Sequence, residues 1–389
     1  MMKRFAKTGY LLALLIGIAG LVAGCSDGAG KGDIKIGMVY ELTGSTASYG
    51  TSAANGAKLA FKEVNAAGGV LGKQLQIITA DNKGEPSESA NAMTKVITQD
   101  RVVAVTGFTV SSCGIAGSVV AEDNKIPFVA AATVNPKVTM DERTGKVKNY
   151  TFRACFIDSF QGTVAANFAF TSLKAKNAAI LIDNSSDYSK GLSAVFKEVF
   201  TAKGGQIAAE QAYLQKDQDF KSTLTAIKAQ NPELIYIPGY YEDVGKIIKQ
   251  ARELGITVPI LGGDAWDSPK LAELGGAQAL NNTFFTNFYS VEDKNPVSNA
   301  FIEAYKKEYG QLPDSMAAMG YDAANLLVDA IKRANSTDSA KIREALAATK
   351  NFKSVSGDMA LNENHDAVRG VVIMEMKDGK QVYRETIKQ

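Results

Sequence analysis

The sequence predicts an α/β protein of two lobes, each a parallel sheet covered by helices. Short β-branched runs alternate with helical patterns, as parallel strands joined by crossover helices require. The alternation comes in two series, separated by the irregular stretch 142–158. The chain also has 389 residues, long for one compact core and natural for two domains.

The first series reads "IKIGMVY" (34–40), "LQIITA" (75–80), "VVAVT" (102–106) and "IPFVA" (126–130) as strands. Ala57, Leu59, Ala60, Phe61 and Val64 mark a helix that stops at Gly68-Gly69, where glycine ends a helix at little cost. Met93, Val96 and Ile97 mark a second helix beginning near Pro86-Ser87, and Ile115, Val119 and Val120 a third. The second series reads "AAILI" (178–182), "QIAAEQAYL" (206–214), "LIYIP" (234–238) and "VPILG" (258–262), with helices around 192–200, 220–229 and 244–254. The last third predicts helices at 296–309, 315–334 and 340–347, then a hairpin in "VVIMEMKDGKQVYRETI". Lobe one is expected over 34–154 plus about 288–355, and lobe two over about 155–287 plus 356–389. Three thin crossings join them, near Cys155 to Asp158, Thr286 to Tyr289 and Val355 to Gly357.

Before these elements, Lys3, Arg4 and Lys7 precede an apolar run, Leu11 to Ala23, of 13 residues. That is short of the ~20 a membrane-spanning helix needs, so 1–24 reads as an export signal. Removing it takes those three residues from the 43 basic ones and none of the 41 acidic ones, leaving a formal charge of −1. Such a balance gives no reason to expect nucleic-acid binding. Residues 25–33 continue into the small polar stretch "SDGAGKGD", a flexible linker. Beyond Cys25 only Cys113 and Cys155 remain, so there is neither a disulfide framework nor a Cys/His metal cluster, and spacing leaves open whether the two pair.

Ligands of open parallel sheets bind beyond the carboxyl ends of the strands. That rule selects "ELTGSTASYG" with Tyr49, "GFTVSSCG", "AATVNP", "DNSSDYSKG" with Tyr188, "GYYED" with Tyr240 and Tyr241, and "GDAWD" with Asp264 and Trp266. Ser111 and Ser112 stand where a loop meets a helix, a place that suits either a capping residue or an anion site. Asp264 suits either a turn or the partner of an ammonium. Catalysis by Ser111 or Cys113 would need a base, and the one histidine, His365, lies in a polar turn.

At these residues the sequence resembles the type I periplasmic solute-binding proteins of ABC transporters, in the leucine/isoleucine/valine-binding group. The matching phrases run in family order and include "GAKLAFKEVNAAGGVLGKQLQII", "VVAVTGFTVSS", "IPFVAAATVNPKVT", "FRACFIDSFQG" and "IYIPGYYEDVGKIIKQARELG". The end of the leader, "LVAGC", resembles a lipobox, which implies cleavage before Cys25 and lipid on its thiol. The resemblance implies a ligand carboxylate held by Ser111, Ala131 and Thr133, an ammonium held by Asp264, and Tyr49, Tyr188 and Tyr240 closing over them. It places Thr109 and Val110 near the ligand side chain, with Trp266 a further lining residue. The implied role is capture of an amino acid, most simply an aliphatic one, for an ABC permease, by a monomer without cofactor or covalent chemistry. The protein would be exported and tethered by lipid to the cell membrane, facing the periplasm or exterior. Where relatives often have Glu this chain has Asp264, and Gly84 and Val110 stand where some members have a disulfide. A ligand sensor of the same fold and a lipid-anchored hydrolase are the alternatives from other classes.

Overall fold

The computed structural model of the protein describes residues 32–292 and 295–388. The leader, Cys25 and the linker through residue 31 lie outside the described residues. The first sheet contains β1 (Ile34–Tyr40), β2 (Leu75–Asp81), β3 (Ala104–Gly107) and β4 (Phe128–Ala130). A small hairpin, β5 (Met140–Asp141) and β6 (Lys146–Val147), then leads to its last strand, β7 (Thr151–Arg153). Their spatial order is β2-β1-β3-β4-β7, and every pairing is parallel. Ile36, Met38, Val39 and Tyr40 are all fully buried, which explains why β1 reads as a continuous apolar run.

The second sheet contains β8 (Asn177–Asp183), β9 (Gln206–Tyr213), β10 (Leu234–Tyr236), β11 (Ile260–Gly262) and β12 (Thr283–Asn287). A separate patch of β13 (Phe352–Ser354), β14 (Gly357–Leu361) and β15 (Ala367–Val368) precedes the hairpin of β16 (Val371–Lys377) and β17 (Lys380–Ile387). That hairpin joins the second sheet antiparallel to β12, giving the order β17-β16-β12-β11-β10-β8-β9. In each sheet the strand order reverses once, between β1 and β3 and between β8 and β10. The loops at those two reversals are where neighbouring crossovers diverge and leave room for a ligand.

Helices α1 (Ala47–Ala66), α2 (Pro86–Thr98) and α3 (Ser111–Asn124) belong to the first series. Helix α4 (Asp158–Asn167) opens the second, followed by α5 (Asp187–Ala202), α6 (Lys221–Ala229), α7 (Tyr241–Glu253) and α8 (Pro269–Gly275). The chain then returns through α9 (Pro296–Tyr309), α10 (Ser315–Ala334) and α11 (Ser339–Ala347). The bounds expected for α9 and α10 are the bounds found, because their signals are local and strong. Asn295 and Asp314 accept from the N–H groups of Ser298 and Ala317, and left-handed Gly310 (φ 71°) and Asn335 (φ 45°) stop the two helices.

Helix α3 forms where expected, but the apolar residues that mark it are not its inward face. Val119 is 45% exposed, Ile115 and Val120 are half-buried, and the inward face is Ser111, Cys113, Gly114, Gly117, Ser118 and Ala121. Small residues are needed there because a Cβ on Gly117 would stand 2.7 Å from the ring of buried Phe108, and one on Gly114 2.7 Å from Thr133. Cys113 and Cys155 are free, buried thiols.

Residues near the third crossing bond back to the first lobe. Arg153, fully buried, sits 2.7 Å from the Asp366 carboxylate, and its N–H donates to the His365 carbonyl. Arg369 follows, paired with Asp322 of α10 at 3.4 Å and donating to the Ala154 carbonyl at 2.6 Å.

Candidate ligand-binding site

On the first lobe, the loop from β3 into α3 is built around a residue that the sequence reading missed. Glu41 follows β1, is fully buried, and accepts from the Thr109 N–H (3.1 Å), the Thr109 hydroxyl (2.7 Å), the Val110 N–H (3.4 Å) and the Asn82 amide (3.2 Å). Burial pushes its carboxyl up, and these hydrogen bonds oppose the push. Phe108 is held at φ 63°, an uncommon conformation for a bulky residue, which the loop's other bonds over-determine. Glu41 thus binds the donors ahead of α3, and the first-turn N–H groups that follow, from Ser111 onward, have no partner within the helix. Ser111 is 2% exposed, and its hydroxyl accepts from the Asn135 N–H at 3.4 Å.

The loop after β4 meets this turn. Ala131 is fully buried and its N–H is bonded to the Gly107 carbonyl at 2.9 Å. Thr133 is fully buried, and its hydroxyl has no hydrogen-bond partner among the described residues. Arg153 fixes this loop from beneath, donating to the Thr133 carbonyl at 2.7 Å and the Asn135 carbonyl at 2.9 Å.

On the second lobe, Asp264 opens a single 3₁₀ turn after β11 and is 2% exposed. One of its oxygens accepts from Gln161 at 2.6 Å and from the Tyr188 hydroxyl at 3.1 Å. Burial pushes its carboxyl up to about 7, and the bonds from Gln161 and Tyr188 work against that rise. The other Gln161 N–H goes to Thr286 of β12 at 2.8 Å, while the Gln161 carbonyl oxygen has no partner among the described residues. Asp158, one turn before Gln161 on α4, is 1% exposed and both its carboxylate oxygens lack partners among the described residues. Burial raises its carboxyl well above the ordinary value, Asp264 adds to that, and Arg153 opposes it. A Cβ on Gly191 of α5 would lie 2.5 Å from Asp158 and 3.0 Å from the Asn135 amide, so this carboxylate stands where the two lobes meet.

Several bonds cross between lobes. Tyr49 of α1 donates to the Ala265 carbonyl and accepts from the Tyr241 N–H at 3.0 Å. Ser112 donates to Asp187 at 3.3 Å, and the Asn135 amide to the Asp187 carbonyl at 2.9 Å. Tyr188 and Tyr240 stack with centroids 5.4 Å apart, and Tyr49 lies 6.1 Å from Tyr240 and edge-on to Tyr241 at 4.9 Å. Outside this aromatic group runs a groove of about 950 Å³, lined among others by Ser48, Tyr241, Glu242 and Lys270. Residues of both series line it; Ser111, Thr133 and Asp264 do not and are buried.

A buried interior between two α/β lobes, rich in unsatisfied acceptors and closed by tyrosines, is the geometry of a binding protein. The family model described as "Periplasmic binding protein" matches residues 33–381. The chain belongs to this family. It is 31% identical over 336 residues to the Leu/Ile/Val-binding protein BraC3 of Rhizobium johnstonii, covering 86% of this chain and 89% of that one. The crystal structure of the leucine binding protein LivK of Thermotoga maritima is similar with a TM-score of 0.87 and 38% identity, over 91% of this chain and 99% of that one. LivJ of Streptococcus pneumoniae, solved in complex with isoleucine, has a TM-score of 0.86 and 35% identity, over 92% and 100%. The two-lobed fold with parallel-sheet cores is the fold of these type I members.

Within that family frame the structure revises some expected roles. Trp266 is fully buried inside the second lobe, donating from its indole to the Ile237 carbonyl at 3.2 Å and lying on Gly262, so it is core and not cleft lining. Ala131 has spent its N–H, so the group it can offer is a carbonyl; that suits an ammonium and not the carboxylate assigned to it. Thr109 gives both its donors to Glu41 and has none left to offer a ligand. His365 stacks on Phe152 at 4.1 Å with Nδ1 3.0 Å from the Thr151 carbonyl, a locally bonded residue of the first lobe.

Proposed function

We propose that this chain captures a branched-chain amino acid between its lobes and delivers it to an ABC permease, without covalent chemistry. The observation that carries the reading is the buried Asp264 carboxylate on one lobe, held by Gln161 and Tyr188, while the partnerless Thr133 hydroxyl and the Ser111 turn at the start of α3 lie buried on the other. A zwitterion needs both ends matched. Donors at Ser111 and the α3 start suit its carboxylate. Asp264, with Asp158 and the Ala131 carbonyl, suits its ammonium, while the partnerless Thr133 hydroxyl keeps a donor for the carboxylate expected of it. The relatives' recorded ligands, Leu/Ile/Val for BraC3 and isoleucine for LivJ, support an aliphatic side chain. Burial and the nearby Glu41 push the Cys113 thiol far up, away from nucleophilic use.

In place of the expected break near 355, we set the first lobe at 34–154 and about 288–368 and the second at about 155–287 and 371–388. The third passage falls at Arg369 and Gly370, since 357–368 pair among themselves and bond Arg153. The export signal and the lipid on Cys25 belong to the same proposal. Cys25→Ala should free the protein from membranes and remove a lipid mass; membrane pelleting unchanged by the substitution refutes the anchor. The ligand itself is tested by thermal shift with the twenty amino acids, sugars and short amides. Isoleucine, leucine or valine at 100 times its dissociation constant should add about 2.7 kcal/mol of stability. A panel in which none of the three stabilises the protein overturns the reading.

A further inference from the structure

The turn that holds Asp264 also holds Asp267, whose N–H closes the turn on the Asp264 carbonyl at 3.0 Å. Asp267 is 4% exposed and collects three donors. Gln381 of β17 (2.6 Å) and Asn287 of β12 (2.9 Å) come from its own lobe, while the third, the Ser315 N–H at 2.9 Å, is the first residue of α10 on the opposite lobe. The N–H groups of a helix's first turn lack partners within the helix and carry the positive end of its dipole. Asp314, the α10 cap, is already engaged with Ala317 and Ser52, so the Ser315 N–H is satisfied from across the cleft. Neighbouring residues of the same turn also reach over: the Ala265 carbonyl accepts from Tyr49, and the Ser268 hydroxyl lies 2.9 Å from that of Ser48.

We propose that Asp267 is the latch of the closed form, a positioning residue that sets how long the ligand stays without choosing which ligand enters. The proposal rests on the amino-acid reading above. An ammonium that fixes Asp264 fixes the same turn three residues later, so occupancy of the cleft holds Asp267 against α10. Opening the lobes must break the Ser315 bond and return that N–H to water.

Two measurements on the full mature chain test it. Spin labels on exposed Lys95 of α2 and Lys203 after α5, each replaced by cysteine, read the distance between lobes without added ligand. Asp267→Ala should shift the distances toward longer values, and Asp267→Asn, which keeps shape but loses charge, should do so less. Stopped-flow with isoleucine should then show dissociation at least ~10-fold faster with association within ~3-fold of wild type and the same order of preference among amino acids. Oxidising Ser48→Cys with Ser268→Cys in the Asp267→Ala chain should restore slow release. Distances and dissociation unchanged in Asp267→Asn and Asp267→Ala overturn the latch, as does a changed amino-acid preference. Wild-type protein that binds no branched-chain amino acid refutes the functional reading instead, and the label distances then still decide the latch.

Discussion

On the proposed reading, Asp264 is the residue on which recognition turns. Removing one partner of a buried charge pair costs on the order of 3–5 kcal/mol, because the other charge stays buried and unpaired. At ~1.4 kcal/mol per tenfold, Asp264→Ala should weaken isoleucine binding by more than ~100-fold in calorimetry. Ser111→Ala should cost less, about 1.5–3 kcal/mol, since backbone donors at the α3 start remain. Cys113→Ser should leave affinity nearly unchanged. Equal affinity in wild type and Asp264→Ala would contradict the assignment. Tyr49, Tyr188, Tyr240 and Asp264 could be picked out because strand-end loops can be read from the order of strands alone, and the structure brings the four together. Glu41, Asp158, Gln161 and Arg153 could not: their importance comes from what the fold brings beside them, as when Asn135 and Gly191 converge on Asp158. Trp266 misled for a related reason, since nothing local announces that Gly262 leaves room beneath it for an indole.

At the scale of elements, the helices with caps were the easiest to read and the close-packed ones the hardest. Helix α1 has glycines at 50 and 56 and α10 one at 320, each an expected cost of ~1 kcal/mol relative to alanine. The structure gives the compensation for all three: a Cβ on Gly50 would lie 2.1 Å from the Glu41 carbonyl, one on Gly56 1.9 Å from the Ala317 carbonyl, and one on Gly320 1.9 Å from that of Ala53. The two helices therefore touch backbone to backbone, which no single-helix periodicity reveals. Gly320→Ala should destabilise the protein by at least 1–3 kcal/mol despite its better helix propensity, measured by urea unfolding. A stabilised variant would mean that the helices part at no cost. Helix α3 forms where its apolar residues marked it, but the same blindness hides its inward face, which is made of serines, glycines, a cysteine and Ala121.

Across the whole molecule, the two series of strands and the C-terminal hairpin follow from pattern, whereas the Arg153–Asp366 and Arg369–Asp322 pairs, on which the proposed third passage rests, are assembled only by tertiary structure. Closure also carries a pH dependence. Burial pushes Asp264 up to about 7 with the lobes together, well above the ~3.9 of a solvated aspartate, and burial with the nearby Asp267 raises Asp314 as well. The closed form therefore holds protons that an open form releases, so acid favours closing, and the benefit is lost as pH rises through about 7. Without added ligand, the radius of gyration should be smaller at pH 5 than at pH 8, and Asp264→Asn should blunt the difference. A larger radius at pH 5 would contradict this. The central claim, that both ends of an amino acid are gripped between the lobes, is tested most directly by calorimetry of wild-type protein with isoleucine, its methyl ester and its deaminated acid. Isoleucine should bind more than ~100-fold more tightly than either analogue; an ester or deaminated acid that binds as tightly as isoleucine would contradict it.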